Sequence, residues 1–447
     1  TAREVFVSAH GMKPVVRQAP APAAAPYVPV AVVGAGACGL VAAIHLCDAG
    51  VGCVLLERDL YPSGSTALSS GFIPAAGTQV QRAAGIDDSP QRFAQDIQAK
   101  AKGTAAAHLV QAYSEAIGPA IDHLSAQHAM EFTVLEGFLY PGHSVRRMHA
   151  VPQKTGGALV AQLERAALRA GAMLLTQALV RELYVDASQR ITGVGYQRPD
   201  GAMETLRCDA LLLACNGFGG NAQMVREWLP EMRNAPFAGH VGNDGSAIAW
   251  GQLLGARVAD AGGYQGHGSW AVPQGALITW ALMMEGGIQV NARGERFHDE
   301  TQGYSEAAVQ VLAQPGGVAW NVFDAPILAM AQGFPDFCEA QAAGAVKECA
   351  SIEALAAWIG CDATKLIASC AGNTPANGLK HSKNTTRHAL EPPYYATKVT
   401  GALFHTQGGL DIDAQCRVLR EDGAAFANLL AAGGAARGVS GNAVWGY

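Results

Sequence analysis

Gly34, Gly36 and Gly39, in the run Val30-Ala31-Val32-Val33-Gly34-Ala35-Gly36-Ala37-Cys38-Gly39, have the spacing that holds a pyrophosphate. Glycine there permits a tight turn, close approach of phosphate to backbone N–H groups, and close packing of a helix on a strand. A helix that starts at Ala37 and Cys38 adds partial positive charge to those N–H groups. Downstream, Val54-Leu55-Leu56-Glu57 ends in a carboxylate placed to accept hydrogen bonds from a ribose hydroxyl, with Arg58 beside it. The same letters could form an ordinary glycine- and alanine-rich turn of an α/β protein. Strand, turn, helix, second strand and acid all fall in register, however, and together they predict a dinucleotide site. Residues 28–47 contain no Asp, Glu, Lys or Arg and are long enough to cross a bilayer. The three spaced glycines, Asp48 directly after, and the β-rich run Gly52 to Leu56 favour the nucleotide reading instead.

The rest of the chain must position that turn. At 447 residues, 49% hydrophobic and 15% charged, it can bury two or three sizeable cores. A net charge of -6 without a dense Lys/Arg run argues against nucleic acid or an anionic membrane as partner. Ten cysteines with no C-x-x-C pair suit reduced thiols in a cytoplasmic protein better than disulfides or a zinc site. The alternating Ala and Pro of Gln18 to Pro29 reads as part of a leader, residues 1–28, that packs on the surface or is poorly ordered. Periodicity predicts one helical segment from Ser89 to Gln127 and another from Thr155 to Gly171. Strands are expected at Met173 to Leu175, Leu179 to Asp186, Ile191 to Tyr196 and Leu206 to Ala214. The pattern turns irregular after Asp244 and strand-like again beyond Pro392. It predicts a nucleotide domain over 29–239 and 396–447, interrupted by an inserted domain over 240–395.

Later motifs specify which dinucleotide. Leu213-Ala214-Cys215-Asn216-Gly217-Phe218-Gly219-Gly220-Asn221, Gly242-Asn243-Asp244-Gly245, Val290 to Glu300, His405-Thr406-Gln407-Gly408-Gly409-Leu410 and Leu430-Ala431-Ala432-Gly433-Gly434 follow in order. In that order and spacing the chain resembles the flavoprotein subunits of fumarate reductases and succinate dehydrogenases, a family that includes the 3-ketosteroid dehydrogenases. The resemblance implies an α/β fold: a glutathione-reductase-like, Rossmann-type FAD-binding domain with an inserted α+β capping domain. It implies FAD, with the ADP half on Gly34, Gly36, Ala37, Cys38, Gly39, Glu57 and Arg58. Ser65, Thr66, Ser69, Ser70 and Gly71 would line the flavin and ribitol, and Val180 would meet the adenine. Ala214, Asn216, Gly217, Asp244, Gly408, Gly433, Gly434 and Ser440 would complete the site. No histidine stands between Gly64 and Gly71, where covalently flavinylated relatives carry theirs, so noncovalent FAD is expected. Where the family has Ala-Gly-Glu, this chain has Gly433-Gly434, and the family pattern continues beyond the position where this chain ends, at Tyr447.

The resemblance also implies the chemistry. In fumarate-reducing relatives two histidines and two arginines bind substrate carboxylates, and one arginine donates a proton. His267 and His405 fall on the histidine positions, but Tyr304 stands where one arginine belongs, and Tyr447 is the candidate at the other. Each lost guanidinium–carboxylate pair forfeits about 1.5–3 kcal/mol. A tyrosine hydroxyl can instead hydrogen-bond a ketone or enolate oxygen, or move a proton alpha to a carbonyl. The expected activity is that of an FAD-dependent oxidoreductase that makes or reduces a carbon–carbon double bond conjugated to the carbonyl of a ketone or steroid-like substrate, by flavin hydride transfer with Tyr/His proton transfer, exchanging electrons with an unidentified donor or acceptor. The alternatives are a carboxylate reductase drawing on Arg293, Arg296 or Arg437, and a flavin-binding electron carrier without turnover of its own. Trp270, Trp280, Met283, Met284 and Phe404 could line an apolar pocket or form the core of the inserted domain.

Overall fold

The computed structural model describes residues 14–136, 139–140, 142–371 and 389–446. The chain divides into two compact units: Thr1–Leu229, Gly239–Tyr264 and His405–Tyr447 form the first, Pro230–Ala238 and Gln265–Phe404 the second. These boundaries differ from the expected 240–395. Two of the divisions fall inside the strands Tyr264–Ala271 and Tyr394–Thr406, and the short segment Pro230–Ala238 joins the second unit as well.

The first unit is built on parallel strands in the order Met173–Leu175, Cys53–Leu56, Tyr27–Val33, Met203–Leu213, Ala425–Ala431. Their near-continuous apolar runs follow from burial on both faces. Val32 and Leu55 point into a core with Leu40, Ile44, Leu159 and Leu163 of the helices Ala37–Asp48 and Gly156–Ala170. Ala31, Val33, Val54 and Leu56 point the other way, into a core with Leu183, Trp250 and Phe426. The amino-terminal half of Met203–Leu213 extends the sheet antiparallel through Ile191–Gln197 and Leu179–Val185.

Val15–Arg17, read above as leader, adds an edge strand parallel to Glu182–Tyr184, where Arg17 pairs with the Glu182 carboxylate. Ala21 is buried and its N–H donates to Thr192 Oγ1 at 3.0 Å. The segment expected as one helix from Ser89 forms two, Pro90–Lys100 and Ala107–His128. Between them Lys102 and Gly103 take φ of +52° and +74°, a left-handed turn that ends the first helix.

The second unit carries a sheet in the order Ala276–Leu277, Tyr264–Ala271, Tyr394–Thr406, Val318–Phe323, Ile288–Val290. Helices Tyr304–Leu312, Ala325–Ala331, Pro335–Ala342, Ile352–Ile359 and Ala363–Cys370 accompany it. Its core includes Leu282, Val322, Phe323, Phe337 and Leu355. After Ile288–Val290 the chain turns back on itself, and Arg296 makes the isolated bridge Val290–Arg296.

Candidate functional site

The three glycines of the first turn are required for different reasons. A Cβ on Gly34 would lie 2.5 Å from the Ala214 carbonyl, and one on Gly39 would lie 2.0 Å from the Gly34 carbonyl, so chain packing itself excludes side chains there. At Gly36 a Cβ would meet nothing nearer than Thr66 Oγ1 at 3.6 Å. Nothing in the protein requires glycine at that position, which leaves bare backbone for a ligand. Gly36 is the N-cap of Ala37–Asp48 and provides no side-chain cap, as an anion-binding helix start needs. Ala37 N donates to Thr66 Oγ1 at 3.2 Å. Glu57 is buried, and its two oxygens accept from Ala35 N and Asp59 N, each at 2.9 Å. The carboxylate is thereby locked against the turn.

Segments far apart in sequence close around this point. Gly433, at φ +61°, would set a Cβ 3.2 Å from that of Cys38, and a Cβ on Gly434 would strike Asn216 Oδ1 at 2.3 Å. Asn216, itself at φ +71°, donates to Ser65 Oγ at 2.7 Å and caps Gly217 N at 3.0 Å. Ser65 also receives Asn243 Nδ2 at 3.1 Å. Ser69 donates to the Thr66 carbonyl and accepts from Gly71 N, while its own carbonyl receives Gly156 N at 2.8 Å. A Cβ on Gly156 would lie 1.8 Å from the Thr66 carbonyl, so the serine loop rests directly on that helix start. Ser70 is exposed.

Asp244 holds Ser246 N and Oγ through one oxygen and faces Arg58 Nη1 at 3.8 Å through the other. His240 bridges to Asp59 at 2.9 Å. Val180 is buried, and a bulge interrupts strand register between it and Glu182. Arg181, on that bulge, has a buried Nε without a hydrogen-bond partner among the described residues. Burial holds its guanidinium below the usual arginine range. An orphaned donor beside Val180, a bare Gly36 and an uncapped helix start fit a dinucleotide such as FAD.

At the other end of this unit, His405 receives Gln407 Nε2 at 3.4 Å, and Ser440 Oγ donates to Gln407 Oε1 at 3.1 Å. Burial lowers the His405 pKa. A Cβ on Gly408 would lie 2.0 Å from the Asp260 carbonyl. Tyr447 lies outside the described residues. Arg181 escaped the sequence reading because nothing in its spacing distinguishes it from an ordinary strand position, whereas Asn243 and Gln407 lie within the quoted motifs without having been given a role.

The second unit gathers His267, Tyr304 and Phe404. The His267 imidazole stacks on Tyr304 at 4.9 Å between centroids and on Phe404 at 5.5 Å, with planes 19° and 17° apart. Trp280 meets His267 edge-on at 5.9 Å, and Trp270 meets Phe404 at 5.7 Å. His267 Nδ1 accepts from Ser269 N at 3.1 Å, and burial pushes the imidazole pKa down to about 3, so the ring is neutral at physiological pH. Tyr304 opens its helix directly after Gly303. Trp280 and Met283 belong to the core, with Met284 packed against it.

The three arginines considered for a carboxylate are all committed. Arg296 forms a buried pair with Glu300, at 3.0 and 2.6 Å. Arg293 pairs with Glu295, and Arg437 with Asp260 and Asp411.

Residues 29–445 match the FAD binding domain family. The chain is 28% identical over 431 residues to the fumarate reductase (cytochrome) of Shewanella frigidimarina, covering 94% of this chain and 74% of that protein. It is 27% identical over 422 residues to the NADH:fumarate oxidoreductase of Klebsiella pneumoniae (strain 342), covering 92% of this chain and 45% of that protein. The chain thus spans about half the length of that relative. Among solved structures, the 3-ketosteroid-delta4-(5alpha)-dehydrogenase of Rhodococcus jostii RHA1 shares the fold, with TM-score 0.75, 24% identity and 96% of both chains covered. No helix among the described residues is long and apolar enough to cross a membrane.

Proposed function

The chain belongs to the FAD binding domain family, and from that premise we propose that it makes or removes a carbon–carbon double bond conjugated to a carbonyl. Bound FAD supplies the acceptor or donor of the hydride exchanged at the carbon beta to that carbonyl. The protein's task is to bind and orient the substrate and to move the balancing proton at the alpha carbon.

Tyr304 is the proposed proton carrier. Its ring is held flat against His267, which limits the arc its hydroxyl can sweep and keeps that oxygen in one place. The neutral imidazole adds no charge beside it, so the pair presents polar but uncharged groups to a ligand. In the cofactor unit, His405 on Gln407 is a second neutral imidazole able to donate to a substrate oxygen. The observation that carries this reading is the His267–Tyr304–Phe404 stack combined with the engagement of Arg293, Arg296 and Arg437 in ion pairs. A ketone suits such groups. A dicarboxylate held by these three arginines would require two of them to leave existing partners, at several kcal/mol for the buried Arg296–Glu300 pair alone.

Sequence likeness to fumarate-reducing proteins supports a second reading, that of an enzyme acting on an unsaturated carboxylate. Anaerobic mixing of the flavin-loaded protein with cyclic ketones, and of its reduced form with enones or fumarate, separates the two. Flavin bleaching or reoxidation with the cyclic compounds supports the ketone reading, and response to fumarate alone overturns it. The electron partner is proposed only as a small or protein carrier.

A further inference from the structure

Away from the residues assigned to cofactor and substrate, two helix ends in the first unit bring three ligating side chains together. Asp48 is the last residue of Ala37–Asp48, and His128 the last of Ala107–His128. Nε2 of His123 and Nε2 of His128 lie 2.7 and 2.8 Å from the same atom, Asp48 Oδ2. The three donor atoms fall within 4.8 Å of one another. His45, one turn before Asp48, stacks on His123 at 4.7 Å with planes 25° apart.

We propose that Asp48, His123 and His128 bind a divalent transition ion of the zinc class, leaving a fourth position for water. Two imidazole nitrogens and one carboxylate oxygen are the borderline donors such an ion takes, at bonds of about 2.0–2.2 Å. Tetrahedral ligands at that distance stand roughly 3.3 Å apart, so the ion enters once the Asp48 oxygen withdraws by about half an ångström from each ring. The side chains have room for this. Asp48 is 30% and His123 31% exposed, which opens a path from solvent, while His128 at 8% anchors the site.

The local field favours a cation as well. Both helices end here, and the carbonyls of their last turns carry partial negative charge. Arg169 Nη2 donates to the His128 carbonyl at 3.1 Å and fixes that backbone. Coordination through Nε2 requires that nitrogen to be deprotonated, so the proton now shared with Asp48 moves to Nδ1 or to solvent. The ion would tie the carboxyl end of the helix that opens on the glycine turn to the end of Ala107–His128.

The test uses the full chain with flavin bound, carrying no polyhistidine tag, stripped with a chelator and then titrated with zinc chloride alone by calorimetry. One saturable site is expected in the wild type, weakened at least tenfold in Asp48→Asn and in His128→Gln. Zinc should raise the melting temperature of the wild type only, with flavin content equal in all three. His123→Gln, at the more exposed ring, keeps the test decisive if His128→Gln does not fold. Absence of saturable zinc binding in the wild type, or binding unchanged in the folded variants, overturns the proposal.

Discussion

On the proposed reading, the two units recognise their ligands by different means. In the first, recognition is written in backbone: Gly36 leaves a bare helix start, and Asn216 at positive φ, Gly433 and Gly434 crowd in from segments more than a hundred residues apart. In the second, it is written in side chains, with His267 layered between Tyr304 and Phe404. A backbone site tolerates almost no change in shape, whereas a side-chain site can change its chemistry while its shape persists. A single lineage can therefore keep one cofactor and exchange substrates.

The sharpest way to break this comparison is Gly36→Val. Its Cβ meets only Thr66 Oγ1 and φ at that position is an ordinary -70°, so the fold should survive, at a cost of about 1 kcal/mol for valine in place of glycine at an N-cap. FAD binding should be lost, read as the ratio of flavin to protein absorbance after desalting. Retained stoichiometric flavin would show that the turn is not the cofactor's seat. Next, Tyr304→Phe should slow the flavin half-reaction with a cyclic ketone by about a hundredfold to ten-thousandfold, with flavin content unchanged. Stopped-flow bleaching at the wild-type rate would make Tyr304 a packing residue.

Gly39→Ala should act in the opposite sense to Gly36→Val. A Cβ 2.0 Å from the Gly34 carbonyl forces helix and strand apart, costing about 1–3 kcal/mol in a urea melt of the flavin-free protein. At neutral pH the smallest expected effect is that of His267, which emerges only as pH falls. His267, with a folded pKa near 3 and a normal unfolded one, binds fewer protons folded than unfolded between about pH 3 and 6.5. Its contribution to stability is therefore complete above pH 6.5 and declines as pH falls, by up to about 1.4 kcal/mol per unit. His267→Gln should flatten the acid limb of a denaturation series by that amount, and an unchanged slope would mean that the ring is not desolvated.

What could be read from the sequence follows from the same division. Gly34, Gly36, Gly39 and Glu57 declare themselves because backbone geometry permits few substitutes at fixed spacing. The parallel sheet was legible in its runs of Val, Leu and Ala, and FAD in the order of the later motifs. The break at Lys102-Gly103 was hidden because apolar periodicity continues through it. The strand Val15–Arg17 was hidden because three residues carry no period, and only a long-range partner, Glu182–Tyr184, defines it. Arg181 acquires its meaning from a bulge, and the aromatic stack from tertiary packing. Neither leaves a mark in local spacing.

One feature of the sheet governs how the protein comes into being. Met203–Leu213 pairs with Tyr27–Val33 on one edge and with Ala425–Ala431 on the other, and the residues of the second unit are translated between those two partners. On the ribosome, the amino-terminal strands must wait with an unpaired edge until the whole inserted unit has emerged. The Gly433–Cys38 approach forms only after that. Flavin capture therefore awaits Gly433 and Gly434, and until Ala425–Ala431 emerges the edge of Met203–Leu213 is exposed to chaperones and to other copies of the chain.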